Sequence, residues 1–394
     1  MIDIIEGDDS MQEEFQLFSM VPILRAAEQS SQKGKPAAIG AFNVNFYSQA
    51  LGILEGLRRA DAPGIIQASR GANKFQGGPD KIQAMVLQAM KDSGHSLPVA
   101  LHLDHGDEEQ AKICTDKGFS SVMIDASTLD FENNIKLTQE IVKYAHAKGL
   151  SVEGEYGKLA GVEEDVIHET TTYADPYLVP FFFNESKADA LAVAYGTSHG
   201  PNKGSAGGLE KLAVHIVDLS YKGMVAYGQN NDHFLVSHGS STVPKEIVDE
   251  INAQGGNVQG AAGIPMHKIQ EAVGAGIRKI NIDTDLRLGI TATFRKWFND
   301  NPGIEETSSD ILTPIKKALD DKLEAIDPRD YLKVIDVDLL RNDPAGSPLE
   351  EVMGLVQQRI AAHVEMLVHK FGSAGLAARV EKISLDGMQA KYSS

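Results

Sequence analysis

From Ala38 to Asp283 short apolar runs, with polar residues at or near their ends, alternate with stretches long enough for a helix, without tandem sequence repeats. The runs are Ala38–Asn45, Gly64–Ser69, Pro98–Asp104, Ser121–Ala126, Ser151–Tyr156, Ala188–Gly196, His233–His238 and Ile277–Asp283. Between them lie amphipathic segments such as NNIKLTQEIVKYAHAKG and PKEIVDEINAQGG, each ending near a Gly suited to a helix C-terminus. Strands joined by helical crossovers run parallel. Eight such units favour closure into a barrel over an open sheet. A dinucleotide-binding sheet would carry G-x-G-x-x-G after its first strand, and this chain has none there. The expected fold is therefore α/β, a (β/α)8 TIM barrel over about residues 20–300.

The strand signals stop after residue 286. Residues 286–300 read as the last barrel helix. Residues 301–332 read as a Pro-punctuated excursion with a short helix inside, and 347–371 as a long amphipathic helix. This quarter is too small for a separate core. It is expected to be a C-terminal helical extension (about 301–394) of a single domain, wrapping the barrel or packing on another subunit.

Composition narrows the functional classes. No apolar run approaches the ~20 residues that span a bilayer. The N-terminus, MIDIIEGDDSMQEEF, is acidic and lacks the succession of a secretory signal or transit peptide. Cys114 is the one cysteine, which excludes an internal disulfide framework and fits a reducing, cytoplasmic setting. A formal charge of −18 argues against nucleic acid or an anionic membrane as partner. An anionic substrate would need a positive island in that field.

The chemistry is expected where the strands end, because the C-terminal mouth of a barrel builds its active site. Going round, the ends carry Asn43 and Asn45, Ser69 with Arg70, Asp104 and His105, Asp125, Glu153 and Glu155, His199, His238, then Asn281, Asp283 and Asp285. The chain has 12 His, and a lone His is ordinarily a surface or core residue. His105, His199 and His238 differ in that each precedes a Gly at a strand end, in LDHG, TSHG and VSHG. Gly lets the backbone approach a ligand closely. Three imidazoles with an open fourth position suit a catalytic zinc ion. His102 reads as packing behind the site. Strict alternation would put Asp104 and His105 on opposite faces, so the strand is expected to end there. Glu155 reads as a buried partner of a ligand His that also touches the metal. Glu163, Glu164 and Asp165 lie in a following loop able to deliver a proton-transfer carboxylate on closure.

The segments AFNVN, QASRGA, LHLDHG, VEGEYG, GTSHG, SHGSSTVP and KINIDTDLR, in this order, resemble the class II, metal-dependent fructose-bisphosphate aldolases, especially the branch with Calvin-cycle-type bacterial enzymes. The likeness runs from about residue 36 to 300 and resumes at DPRDYL and FGSAG...SLDGMQAKY. It implies reversible cleavage of fructose 1,6-bisphosphate to dihydroxyacetone phosphate and glyceraldehyde 3-phosphate, by a cytoplasmic homodimer or homotetramer of glycolysis and gluconeogenesis. His105, His199 and His238 would hold the divalent ion, zinc, with Glu155 beside it. Asp104 would exchange a proton with the hydroxyl that becomes the aldehyde, Glu164 with the carbon bearing the enediolate, and Asn281 would hydrogen-bond that enediolate. Gly200, Gly239, Ser241, Asp283 and Thr284 would cradle one phosphate on backbone amides. Asn43, Ser69 and Lys203 match positions near that phosphate or its monovalent cation, K+ or Na+. Arg287 would bind the distal phosphate, and Asp327 would reach the substrate of a neighbouring subunit.

The chain departs from the family at Pro201-Asn202 in the phosphate loop, in a longer stretch from Pro302 to Ile326, and in 18 additional N-terminal residues. Tagatose 1,6-bisphosphate and sedoheptulose 1,7-bisphosphate remain rival substrates, since they differ far from the metal. A barrel hydrolase would want His-x-His on the first strand, which AFNVN lacks. A Schiff-base aldolase needs a Lys inside the barrel; the sixth strand has none, and Lys279 lies early in the eighth. A non-catalytic scaffold would lack one of the family roles, and none is missing.

Overall fold

The computed structural model describes residues 15–158, 161–163, 166–168, 171–198, 200, 212–304, 311–342 and 347–394. Its strands are β1 (Ile39–Asn43), β2 (Gly64–Ser69), β3 (Val99–Gly106), β4 (Ser121–Ile124), β5 (Ser151–Tyr156), β6 (Gly161–Glu163), β7 (Val166–His168), β8 (Ala190–Val193), β9 (Phe234–Ser237) and β10 (Ile277–Ile282). Eight of them close into a barrel in the order β1-β10-β9-β8-β5-β4-β3-β2, every pair parallel. These are the eight apolar runs of the sequence: β2 and β5 match them end to end, β3 runs two residues past its run, and the others are shorter.

Register places the polar strand ends at one level. Asn43 pairs with Gln67, and Ser69 with Asp104. Alternation then decides what faces inward. Ile39, Ala41, Ile65, Ala100, Ala190, Ala192, Phe234 and Val236 form the lower barrel interior. Ile66, Leu101, Leu103, Leu191, Ile280 and Ile282 face the surrounding helices.

The helix Met20–Gln32 closes the barrel floor, with Met20, Ile23, Leu24 and Ala27 joining the interior cluster. Its Glu28 accepts hydrogen bonds from Arg278 Nε at 2.5 Å and Asn230 Nδ2 at 3.1 Å. A buried carboxylate so paired anchors the cap to β10.

The C-terminal extension wraps the barrel, one of the two outcomes expected. Its helix Glu350–Phe371 lies against the helices Tyr47–Arg59 and Thr284–Asp300. Gly52 and Gly56 make room: a Cβ on them would come within 2.8 Å of Gln357 O and 2.6 Å of Ala361 O. The last helix, Leu385–Ser393, docks at the floor, where Tyr392 stacks on His146 with ring centroids 3.5 Å apart and donates to Asp189. No helix among the described residues is long and apolar enough to cross a membrane.

Two local departures from expectation bear on function. β3 does not stop at Asp104; it runs to Gly106 with an irregular register between Leu103 and Gly106. His105 takes φ +51 there, so a bulge turns both Asp104 and His105 to the mouth. The segment after β5 is not simply a loop, since β6 and β7 pair antiparallel as a hairpin, Glu163 opposite Val166. β-Branched Val162, Val166 and Ile167 on the two arms favour this pairing. Glu164 and Asp165, between the arms, lie outside the described residues.

Candidate active site

Asp104 is the best-held carboxylate at the mouth. Its Oδ2 accepts from Asn43 Nδ2 at 2.9 Å and Gln67 Nε2 at 3.0 Å, and its Oδ1 from Asn281 Nδ2 at 3.0 Å. Gln67 Nε2 also donates to Asn43 Oδ1 at 2.7 Å. These side chains come from β1, β2, β3 and β10, neighbours around the barrel. Charge-assisted bonds from three amides fix the orientation of this carboxylate.

The network continues through the barrel. Asn281 Oδ1 accepts from Lys279 Nζ at 2.8 Å, and Lys279 pairs with Glu153 Oε2 at 2.9 Å. Glu153 Oε1 in turn meets His238 Nε2 at 2.8 Å. Burial by itself would raise the Glu153 carboxyl, but the Lys279 ammonium and the His238 N–H hold it well below the usual carboxylate range. His102 stands 3.6 Å from Glu153 Oε2, and burial, reinforced by the Lys279 charge, keeps its imidazole well below the ordinary histidine value. His102 is thus the packing residue expected of it, its Nδ1 bonded to Ser121 Oγ at 2.8 Å.

His105 and His238 face each other edge to face, ring centroids 4.6 Å apart. Behind His105 Nδ1 stand Asp125 Oδ2 at 3.2 Å and Glu155 Oε2 at 3.6 Å. Burial opposes ionisation of Asp125, yet the His105 and Ser127 hydrogen bonds hold it below the usual range. One donor atom each from Asp104, His105 and His238 lies within 4.8 Å of the others. Asp104 is occupied by three amides, and His105, Asp125 and Glu155 form a second group within the same reach; the described imidazole donors are His105 and His238, each oriented from behind by a carboxylate. That is the outer arrangement typical of His-bound zinc, and the donor set fits a divalent ion. His199 lies outside the described residues, as do Lys203 and Glu164.

The candidate phosphate loop follows β9. Gly239 takes φ +59, and a Cβ there would meet Ser198 O at 2.4 Å, so only Gly fits. Gly200 has φ +82. Ser241 Oγ accepts from Asp283 N at 3.2 Å and Thr284 N at 3.1 Å, which brings the loop to the start of the helix Thr284–Asp300. Ser69 caps the helix Arg70–Gln76, its Oγ accepting from Ala72 N at 3.2 Å.

Arg287 grips Asp283 through two nitrogens, at 2.7 and 2.5 Å, and donates from Nη1 to Asp327 Oδ2 at 2.6 Å. Asp327 is also held by Arg329 Nη2 at 2.7 Å. Burial opposes it, but the Arg287 charge and the Arg329 hydrogen bond bring Asp327 down to about 2. Burial pushes Asp283 upward, against the pull of Arg287. Asp327 was expected to reach a neighbouring subunit; here its carboxylate is engaged by Arg287 of its own chain. The long connection from Pro302 brings it back to the mouth, next to Asp283.

Sequence reasoning gave no role to Gln67, Glu153, Lys279 or Arg329. Gln67 and Lys279 lie two residues before Ser69 and Asn281 on the same strand faces, which was the available signal. Arg329 had none, because only the return of the distant DPRDYL segment makes it part of the site.

Residues 20–375 match the family model described as fructose-bisphosphate aldolase class-II. The chain belongs to the class II fructose-bisphosphate aldolase family. Members of this family are metal-dependent lyases. A fructose-bisphosphate aldolase of Giardia intestinalis is 38% identical, covering 90% of this chain and 94% of its own. A fructose-bisphosphate aldolase class 2 of Synechocystis is 33% identical over 95% of this chain and 96% of its own. Among solved structures, an aldolase of Coccidioides immitis described as a putative fructose-1,6-bisphosphate aldolase superposes with TM-score 0.62 at 21% identity, covering 91% of this chain and 97% of its own. The YdjI aldolase of Escherichia coli gives TM-score 0.59 at 22% identity, over 92% and 100%. These two likenesses bear on the fold.

Proposed function

We propose that this chain, acting as a single aldolase domain (barrel about 20–300, helical extension about 301–394), cleaves fructose 1,6-bisphosphate reversibly to dihydroxyacetone phosphate and glyceraldehyde 3-phosphate. The observation that carries the reading is the Asp104 carboxylate, aimed by three amides into the mouth that His105 and His238 share.

His105, His199 and His238 would hold zinc, with Glu155 beside His105. When bound, that ion supplies Lewis-acid polarisation of the ketose carbonyl. Asp104 takes the proton from the C4 hydroxyl as the C3–C4 bond breaks and C4 becomes the aldehyde carbonyl. The electron pair of that bond stays with the three-carbon phosphate as an enediolate. Asn281 donates its amide to that enediolate, and Glu164 delivers a proton to C3. The reverse steps make the bond. Lys279, although inside the barrel, is engaged by Glu153 and Asn281, which speaks for a positioning role in place of Schiff-base chemistry.

Backbone amides near Gly200, Gly239, Ser241, Asp283 and Thr284 receive one phosphate. They supply positive potential without formal charge, which suits a chain of net charge −18. Asn43, Ser69 and Lys203 lie with that phosphate or a K+ or Na+ ion. Arg287 takes the distal phosphate bidentately, with Asp327 and Arg329 as its neighbours. The setting is the cytoplasm, in glycolysis or gluconeogenesis, as a homodimer or homotetramer.

The test is cleavage of fructose 1,6-bisphosphate with and without EDTA, beside tagatose 1,6- and sedoheptulose 1,7-bisphosphates. Chelator-sensitive cleavage with fructose preferred supports the proposal. Preference for another sugar reassigns the substrate, and turnover indifferent to EDTA overturns the metal reading.

A further inference from the structure

Behind the loop Gly239–Val243 lies a buried carboxylate with no part in the chemistry above. Asp285, on the first turn of the helix Thr284–Asp300, has 0% side-chain exposure. Its Oδ2 accepts from Thr242 N at 3.0 Å and Thr242 Oγ1 at 2.8 Å, and its Oδ1 from Val243 N at 2.7 Å. Val243 is β-branched, precedes Pro244, and sits at φ +47. Such a residue is strained there and keeps this geometry only when its surroundings enforce it. The bond from Val243 N to Asp285 is one such enforcement.

The loop is also walled on two further sides. A Cβ on Gly263 would come within 2.2 Å of Thr242 C, and Ile264 N donates to Ser241 O at 3.1 Å. Gly239 abuts Ser198. On the far side of Asp285, His363 of the C-terminal helix brings its Nε2 to 3.5 Å from Oδ2, a contact longer than a tight hydrogen bond. His363 is 12% exposed and lines an outward groove of about 430 Å³ with Glu250, Arg359 and Met366.

We propose that Asp285 is the positioning residue of the phosphate loop and that His363 supports it from behind, so that the C-terminal extension helps set the barrel's affinity for phosphate. This rests on the phosphate-loop assignment under Proposed function. Asp285 touches no substrate; by taking the Thr242 and Val243 amides it fixes the end of the loop, so that the amides of residues 239–241 keep the one arrangement that converges on an anion. Loosening them weakens anion binding while the imidazoles and Asp104 keep their own supports.

The experiment compares metal-loaded wild type with Asp285→Asn, Asp285→Ala, His363→Phe and His363→Gln. The readouts are the Kd of inorganic phosphate, KM and kcat, metal content, and hydrogen exchange of residues 239–243 with and without phosphate. The Asp285 variants should raise phosphate Kd and KM about tenfold (about 1.4 kcal/mol), with kcat and metal content within about twofold. His363→Phe should raise both about threefold, while His363→Gln, which keeps a donor, should match wild type. The groove gives His363 replacements room, so that pair decides if the Asp285 variants fail to fold. Exchange at 239–243 in wild type that phosphate does not slow would remove the phosphate-loop assignment itself. Protection in wild type that persists undiminished in the variants, or a loss of kcat and metal with unchanged phosphate Kd, overturns this inference alone.

Discussion

His238 Nε2 and Glu153 Oε1 meet at 2.8 Å inside the barrel, both side chains with 0% exposure. Glu153 is held ionised by Lys279, so it fixes which imidazole nitrogen carries the proton and leaves Nδ1 for the mouth.

Glu153→Gln should therefore weaken divalent-metal affinity about 10- to 100-fold. It also leaves the Lys279 ammonium buried without its carboxylate. Competition against a chelator of known affinity measures this; an unchanged constant would show that His238 does not need its buried partner.

Asp104→Asn keeps the shape but cannot accept from amides on both sides. Cleavage should fall by about 10²- to 10⁴-fold, the range of a lost acid–base group, with bound metal unchanged. Steady-state turnover alongside metal analysis separates the two. Loss of metal in step with activity would make Asp104 a ligand.

Glu164→Ala should retain metal yet lose exchange of the C3 proton of dihydroxyacetone phosphate with solvent, by about 10²-fold or more. Exchange is followed by deuterium incorporation. An undiminished rate would move the role to Glu163 or Asp165.

Arg287→Ala removes a cation that faces two carboxylates, Asp283 and Asp327. KM for fructose 1,6-bisphosphate should rise about 10- to 100-fold, the worth of one charge-assisted contact. Arg287→Lys should recover only part of this, because an ammonium lacks the planar fork. A KM equal to wild type would detach Arg287 from the substrate.

Burial pushes the His95 imidazole, 1% exposed, down to about 4. As pH falls, the unfolded chain takes up this proton first. The stability tied to His95 is whole above the ordinary value of about 6.5 and is lost as pH drops through 4, on the order of 3 kcal/mol in all. Urea unfolding at pH 7 and pH 4.5 should show a smaller difference in His95→Met than in wild type. Equal differences would mean that His95 carries none of the slope.

The barrel was legible because its signal is local: apolar runs of strand length, helical spacing between them, and a polar residue where each strand leaves the core. The same rule brought out Asn43, Asp104, His105, His238 and Asn281, since a polar side chain at the end of a buried strand has only the mouth to face. What sequence periodicity assigned wrongly was the end of β3. Alternation allows Asp104 and His105 one shared face only if the strand stops, whereas the structure keeps the strand and bends it at His105, φ +51.

Only the tertiary structure decided which charges meet. Glu153 reads in sequence as one of two acids on β5, and becomes the support of His238 because Lys279 and His238 come from strands far along the chain. Arg287 and Asp327 are separated by the Pro-rich connection from Pro302, and Asp285 and His363 by most of the C-terminal extension; neither pairing has a periodicity to announce it. Strand and helix patterns arise from interactions a few residues apart. Ion pairs and loop supports arise from the packing of whole elements, which no local pattern encodes.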